Sequence, residues 1–409
     1  MKCLYTCFLT LVLSQVAFAS ATNSTCQIKD ANEFLKLIKE NHQVNLLAES
    51  TRESLAGEIE SANAIYNPEL ESEIVSGGSG ELNSMIKIAQ TFELGGKRGA
   101  RESLAKNQMA LGELEIKNNK ENVILENVLS LYRLRQINEL IPIYKEAYES
   151  LQSLLKKKGR IKKSLSPSQE VEYETLSLAI DDYYLKLSEL TAKRATLLTH
   201  LKLNAGGGCV VKLTSLPREF RFKNISMQEL NLEESTEFQK NKAKLLAAKS
   251  NYDLAKSNAY SDLKIGPMYE FAKTDNQKDH AFGLSLSFDI PVFNTNDGPK
   301  AKALAQVKRA EFDMRYQEID LKMDLNNWLA KYKRYKSVYQ RMVSRSSLEK
   351  KHKRIETLFQ RGVISTGLVI EAHRQLVDFT NRRNDYELGA VEALWNIYLL
   401  RGSILKERI

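Results

Sequence analysis

Apolar and polar residues alternate with period two in four stretches of the chain and recur at helical spacing almost everywhere else. Alternation sends successive side chains to opposite faces of a strand, so each stretch predicts a two-faced strand. The strands are expected at about 69–76, 84–94, 262–273 and 281–292. In the fourth, Phe282, Leu284, Leu286, Phe288 and Ile290 oppose Gly283, Ser285, Ser287 and Asp289. In the third, Leu263, Ile265, Tyr269 and Phe271 oppose Lys264, Gly266, Met268 and Glu270. In the second, Ile86, Ile88, Phe92 and Leu94 oppose Lys87, Ala89, Thr91 and Glu93, and the first sets Leu70, Ser72 and Ile74 against Glu69, Glu71 and Glu73.

The helical stretches and the strands follow the same order twice, with the division near residue 210. Each half reads as one helix, two strands and two long helices. The first half predicts helices at about 31–66, 98–158 and 168–202, and the second at about 227–260, 299–358 and 366–405. Asn67-Pro68 stops the first helix, because proline cannot continue one and pushes its predecessor out of the α region. Breaks fall at Gly159 to Pro167 and at Arg361-Gly362, and Gly206-Gly207-Gly208 closes the first half. The last helix carries a seam of steps of three and four through Val369, Ala372, Leu376, Phe379, Arg383, Tyr386, Ala390, Ala393, Ile397 and Leu400. A helix over 98–158 is ~90 Å long at the usual rise, a rod rather than part of a globule.

Composition supports a mainly α chain with a small β part, since only 7 Pro and 19 Gly interrupt 409 residues. Lys2, the apolar run Cys3 to Leu13 and the small-residue pattern Ala17-Phe18-Ala19 read as a secretory signal over residues 1–19, followed by repeats at 20–209 and 210–409. Beyond that segment no apolar run suffices for a membrane helix, so a span has to be β. Strands of about ten residues with one apolar and one polar face fit a transmembrane barrel, and four are too few to close one. The alternative is two soluble hairpins packed on helices. The formal charge of +9 is dispersed along helices among 51 acidic residues, which argues against nucleic acid as a partner.

The doubled plan of helix, hairpin and helical hairpin resembles the TolC-like outer-membrane efflux proteins over nearly the whole mature chain. Asn67-Pro68-Glu69-Leu70 resembles the start of that family's first strand. The run Phe92-Glu93-Leu94-Gly95-Gly96-Lys97-Arg98-Gly99-Ala100-Arg101 resembles the strand-to-helix turn of its heavy-metal branch. Phe288 to Asn294, with Pro291 and the following Gly298, resembles the matching second turn. Leu358, Arg361-Gly362, Ser365, Glu371-Ala372 and Leu376 resemble the periplasmic tip and the returning helix, and Gly402 the C-terminal glycine. The resemblance implies a homotrimer with a twelve-stranded β-barrel in the outer membrane of a Gram-negative bacterium and a long periplasmic α-barrel. It also implies docking to a periplasmic adaptor and to an inner-membrane resistance-nodulation-division or similar pump, with metal cations as candidate cargo.

Within that frame Glu371 is the candidate pore gate, because one carboxylate repeated around an axis makes a cation-favouring ring. The family's other gate carboxylate falls on Gly367. Lys158-Gly159 and Arg361-Gly362 are candidate adaptor-docking tips, Gly95, Gly96, Pro291 and Gly298 candidate turn residues, and Cys26 and Cys209 a candidate disulfide in an oxidising compartment. The histidines His42, His200, His280, His352 and His373 show no paired spacing, and no Cys-x-x-Cys or phosphate loop is present, so no cofactor, metal or catalytic site is expected. A periplasmic coiled-coil adaptor or structural protein is the competing reading. A secreted hydrolase lacks the converging groups it needs.

Overall fold

The computed structural model describes residues 26–409 except 79–80, 161–165, 208, 211, 213–214, 226–230, 275–276 and 362. The expected signal segment lies outside the described residues, as do Gly208, Gly362 and most of the first break. The described elements run β1 (Cys26–Gln27), α1 (Ala31–Asn41), α2 (Val44–Asn63), β2 (Glu69–Ser76), β3 (Leu82–Phe92), α3 (Lys97–Gly159) and α4 (Pro167–Asn204). They continue with β4 (Cys209–Val210), α5 (Thr236–Ser257), β5 (Leu263–Lys273), β6 (Lys278–Phe288), α6 (Asp297–Arg341), α7 (Arg345–Gln360) and α8 (Thr366–Leu400). The chain is mainly α with one small sheet, as its patterning predicts.

Local chemistry sets the helix starts. Asp30 accepts hydrogen bonds from the backbone N–H groups of Asn32 and Glu33 at 2.8 Å and opens α1. Ser166 and Gln169 make a reciprocal capping box ahead of Pro167 at the first position of α4. Ser365 caps α8. Four expected helices are shorter or broken. The single helix over 31–66 divides at His42, whose Nδ1 accepts from the N–H of Val44 at 3.1 Å and takes one free donor of the new helix. The helix expected from 227 begins at Thr236. The helix over 299–358 ends at Arg341, and after Met342 turns extended Ser344 caps a new helix, α7. The last helix stops at Leu400, where Gly402 adopts φ 65°; a Cβ there would lie 1.9 Å from the carbonyl oxygen of Glu234.

The four long strands form one antiparallel sheet in the order β2-β3-β5-β6, so the central pairing joins the first half to the second. Gly266 on β5 permits that pairing, since a Cβ there would fall 1.7 Å from the carbonyl oxygen of Ile88. The helices interlock across the halves as well: α3 packs on α4, α5 and α8, and α6 on α5 and α8. One core surrounds Phe34, Leu131, Leu134, Leu201, Leu394 and Trp395. A second, farther along the hairpins, joins Tyr144, Leu151, Leu176, Ile180 and Tyr183 to Val369 and Val377. The seam of α8 is shifted in its first half: Val369, His373 and Val377 are buried, whereas Ala372, Leu376 and Phe379 are only half-buried. A polar hub ties the halves together at the first core. Buried Glu387 of α8 accepts from the Arg135 guanidinium, from Gln136 at 3.1 Å and from the Phe220 N–H at 2.7 Å.

Candidate functional site

Residues opposite one another in an antiparallel ladder share a face, so the registers settle what each face of the sheet carries. Leu70 faces Ile88, Ile86 faces Tyr269, Phe92 faces Leu263, and Leu263, Ile265, Tyr269 and Phe271 face Phe288, Leu286, Phe282 and His280. One continuous apolar face results. It is open: Phe282 is 86% exposed, and Leu70, Ile74, Leu284, Leu286 and Phe288 are exposed as well. The other face carries Glu69, Glu71, Lys87, Lys264, Ser285 and Ser287, with Lys87 paired to Glu71 at 2.5 Å and Lys264 to Glu69 at 2.6 Å. Both outer strands, β2 and β6, have one unpaired edge in the single chain. No helix among the described residues is long and apolar enough to cross a membrane.

The strand-to-helix turns hold this sheet to the helices. Gly95 and Gly96 are left-handed, and a Cβ on Gly95 would meet the Tyr260 ring at 2.4 Å. Arg101 pairs with Glu93, and Lys97 with Asp262 at 2.6 Å, which fastens the first turn to the second half. At the second turn the left-handed residue is Asn296, which precedes α6 as Gly96 precedes α3. Its side chain donates to the Ala255 carbonyl at 2.6 Å. Pro291 lies in the segment after β6, and Gly298 lies within the first turn of α6. Asparagine tolerates the left-handed region better than most residues, and that was the signal available in Asn294-Thr295-Asn296.

At the far ends of the helices, Lys158 of the first tip reaches Glu172 of α4 at 2.5 Å. Glu172 is held below the usual carboxylate range by that bond and by Thr366, so the first tip is tied to the start of α8. Gly159 ends α3, and Arg361 follows α7 in an exposed position. Glu371 is half-exposed on the second turn of α8. Arg374 donates to both of its oxygens at 2.7 and 2.8 Å and Gln375 to one at 2.8 Å, and these bonds hold the carboxyl down at about 2. Arg374 also bonds Asp378 at 2.9 Å, so the trio retains one net negative charge. Cys26 and Cys209 are backbone partners in the short parallel ladder of β1 with β4.

One grouping escaped the sequence pattern. His352 and Glu356 of α7 and His373 of α8 bring a ligand atom each within 4.8 Å of the others. The usable signal was the four-residue spacing of His352 and Glu356, which places both on one side of a helix.

The chain matches no protein-family model and no curated protein sequence. Solved structures do match. The Campylobacter jejuni CmeC outer membrane channel superposes with a TM-score of 0.69 at 14% identity, over 95% of this chain and 90% of that one. The outer-membrane channel OprN gives 0.73 at 11% identity, over 94% of each chain. CusC, whose structures follow transmembrane channel formation, gives 0.66 at 14% identity, over 94% of this chain and 96% of that one. The fold is TolC-like. Long hairpins with four strands at one end form a TolC-like chain, and the three channels resemble it about equally.

Proposed function

We propose that this chain is one subunit of an outer-membrane exit duct, in which three copies close a twelve-stranded barrel and continue as a periplasmic helical tube. The carrying observation is the sheet: a bare apolar face, an ion-paired polar face and two unsatisfied edges on one four-stranded piece. Lipid would cover the apolar face, and β6 of one copy would pair with β2 of the next. The strands of 11 residues are long enough for a tilted barrel strand. A coiled-coil adaptor would leave this face without a purpose. The similarity of the whole chain to CmeC, OprN and CusC supports the same reading.

In this arrangement the secretory segment is removed, residues 20–209 and 210–409 act as two repeats, and the protein is a conduit rather than an enzyme. The helical ends dock to a periplasmic adaptor and an inner-membrane pump, with exposed Arg361 and the neighbouring Gly362 as one contact and Gly159 as the other. Lys158, engaged by Glu172, supports the tip from within. Glu371 lines the constriction, balanced by Arg374. The support for metal cations as cargo is narrower and rests on the likeness of Phe92 to Arg101 to the heavy-metal branch. Cys26 and Cys209 join in a disulfide, because the Cα separation of parallel partners, about 5 Å, suits one.

The deciding experiment is the native mass of the protein extracted in mild detergent from separated outer membranes. A trimer is expected. A monomer, or recovery from the soluble periplasm, would remove the duct and restore the adaptor reading. In planar bilayers Glu371→Ala should lower cation preference, and an unchanged pore would take Glu371 out of the gate.

A further inference from the structure

The polar cluster at the junction of α7 and α8 contains more unspent coordination chemistry than any other buried group of the described chain. His373 is 1% exposed and His352 8% exposed, and their rings meet edge to face with centroids 4.7 Å apart. The Nδ1 of His373 lies 3.0 Å from the carbonyl oxygen of Val369. A carbonyl oxygen only accepts, so Nδ1 carries the proton and Nε2 presents its lone pair inward. That Nε2 is buried without a hydrogen-bond partner, and so are both ring nitrogens of His352. Glu356 brings Oε1 to 3.9 Å from the Nε2 atoms of both histidines, and Glu146 of α3 stands 3.7 Å from His352.

Buried imidazole nitrogens normally find partners, and two unpaired ones converging on one carboxylate are unusual for a packing cluster. Two imidazoles and a carboxylate are the donor set of an open zinc site, and a backbone carbonyl on the far nitrogen is the usual device that fixes a ligand's tautomer. Four-coordinate zinc with bonds of roughly 2.0–2.1 Å needs ligand atoms about 3.3 Å apart, so the two histidine–Glu356 pairs at 3.9 Å must close by about half an ångström, and the widest pair of the group, within 4.8 Å, by up to about 1.5 Å. The closure has to come from movement of the His352 and Glu356 side chains on α7 toward His373 of α8. Glu146 or a water completes the sphere. Nitrogen-rich, cysteine-free coordination selects zinc and its borderline neighbours over magnesium or calcium.

We propose that His352, Glu356 and His373 form a binding site for a divalent transition metal of the zinc class, which fastens α7 to α8. The site is built within a single chain and does not depend on the duct reading. Untagged full-length protein in detergent, stripped with chelator and titrated calorimetrically with zinc alone, should bind one ion per chain. His352→Ala, His373→Ala and the near-isosteric Glu356→Gln should each weaken zinc by about a hundredfold or more, beyond the 10–100-fold typical of an outer-shell loss. Glu356→Gln guards against unfolding, since it preserves volume and its helical circular dichroism should match the parent. Zinc should also slow hydrogen exchange through Arg345–Gln360 in the parent and leave Glu356→Gln unchanged. Failure to bind at one per chain, or binding that survives all three changes, would overturn the site. Binding without slowed exchange would overturn the clamp. A zinc-free protein that still runs as a trimer would leave the duct intact.

Discussion

The two long hairpins start alike and are held together differently. Pro142 stands as far from the start of α3 as Met342 does from the start of α6, so the two rods meet a potential break at the same height. A proline removes one hydrogen bond and crowds the preceding turn, yet α3 continues through it to Gly159. The second rod, whose one proline, Pro299, lies in its first turn, breaks there. The difference lies in the next few side chains of each rod. Beyond Pro142 come Tyr144, Ala147 and Leu151, all buried against Leu176, Ile180 and Tyr183. Beyond Met342 come Val343, Ser344, Arg345, Ser346 and Ser347, which offer little to bury and a ready cap. Among the side chains described on α7, His352 is the only one buried. Helix continuity here follows apolar burial more than local propensity.

The most damaging test of this contrast is Glu387→Ala, which strands the Arg135 guanidinium in the hub that joins both hairpins. A loss of about 3–5 kcal/mol is expected, read as a lower urea midpoint for the whole helical signal. A loss confined to one hairpin would mean that the two are not coupled through the hub. Next, Leu176→Ala in the apolar hairpin should cost about 2–5 kcal/mol, while Ile355→Ala on half-buried α7 should cost about 1 kcal/mol. Equal costs would erase the distinction. Ser344→Ala should cost about 1 kcal/mol and show as faster amide exchange in the first turns of α7, with α3 beyond Pro142 unaffected.

The smallest effect concerns acid. Glu219 sits beside the break, where Arg383 bonds both it and the Val343 carbonyl, and Tyr339 donates to it as well. Burial pushes its carboxyl up, but the bonds from Tyr339 and Arg383 outweigh that and leave it below the usual range. The native carboxylate therefore binds fewer protons than the unfolded one. Its contribution is complete above an unfolded value of about 4.3 and fades as pH falls through the lower native value. Melting curves from pH 6 to pH 3 should fall less steeply for Glu219→Gln than for the parent. Parallel slopes would mean that the bonds at the break are too solvent-screened to matter.

The sheet was legible to within a few residues, because period-two alternation has no competing interpretation once turn residues bound it. The first strand lies at Glu69–Ser76 as expected, the third begins one residue later than expected, and the second and fourth start a little earlier. Long α3 was legible for the same reason, since its interior lacks glycine clusters and its one proline is overridden by packing. The breaks at His42 and Met342 were not, since each depends on a side-chain cap inside helix-compatible sequence. The seam of α8 was misphased because His373 occupies a buried position that a count of apolar residues passes over. The metal-ligand grouping was hidden by topology: His352 and His373 lie on different helices, and only folding reveals that they touch.

A newly made chain meets a hazard that its sheet creates. The helical cores close within one chain, whereas in the proposed duct the apolar strands would gain their neighbours only from lipid and sister copies. If three copies join as proposed, that step would depend steeply on their supply, and slow synthesis would prolong the wait in water, where bare edges invite aggregation. The order of charge along the sheet answers part of that threat. One exposed edge, β2, carries Glu69, Glu71 and Glu73, and the other, β6, opens with Lys278, Asp279 and His280. Glu71 and Glu69 are already paired with Lys87 and Lys264, so Glu73 carries the remaining charge that would disfavour zipping β2 to β2, while a β2-to-β6 joint of the proposed ring would bring it near mixed charge.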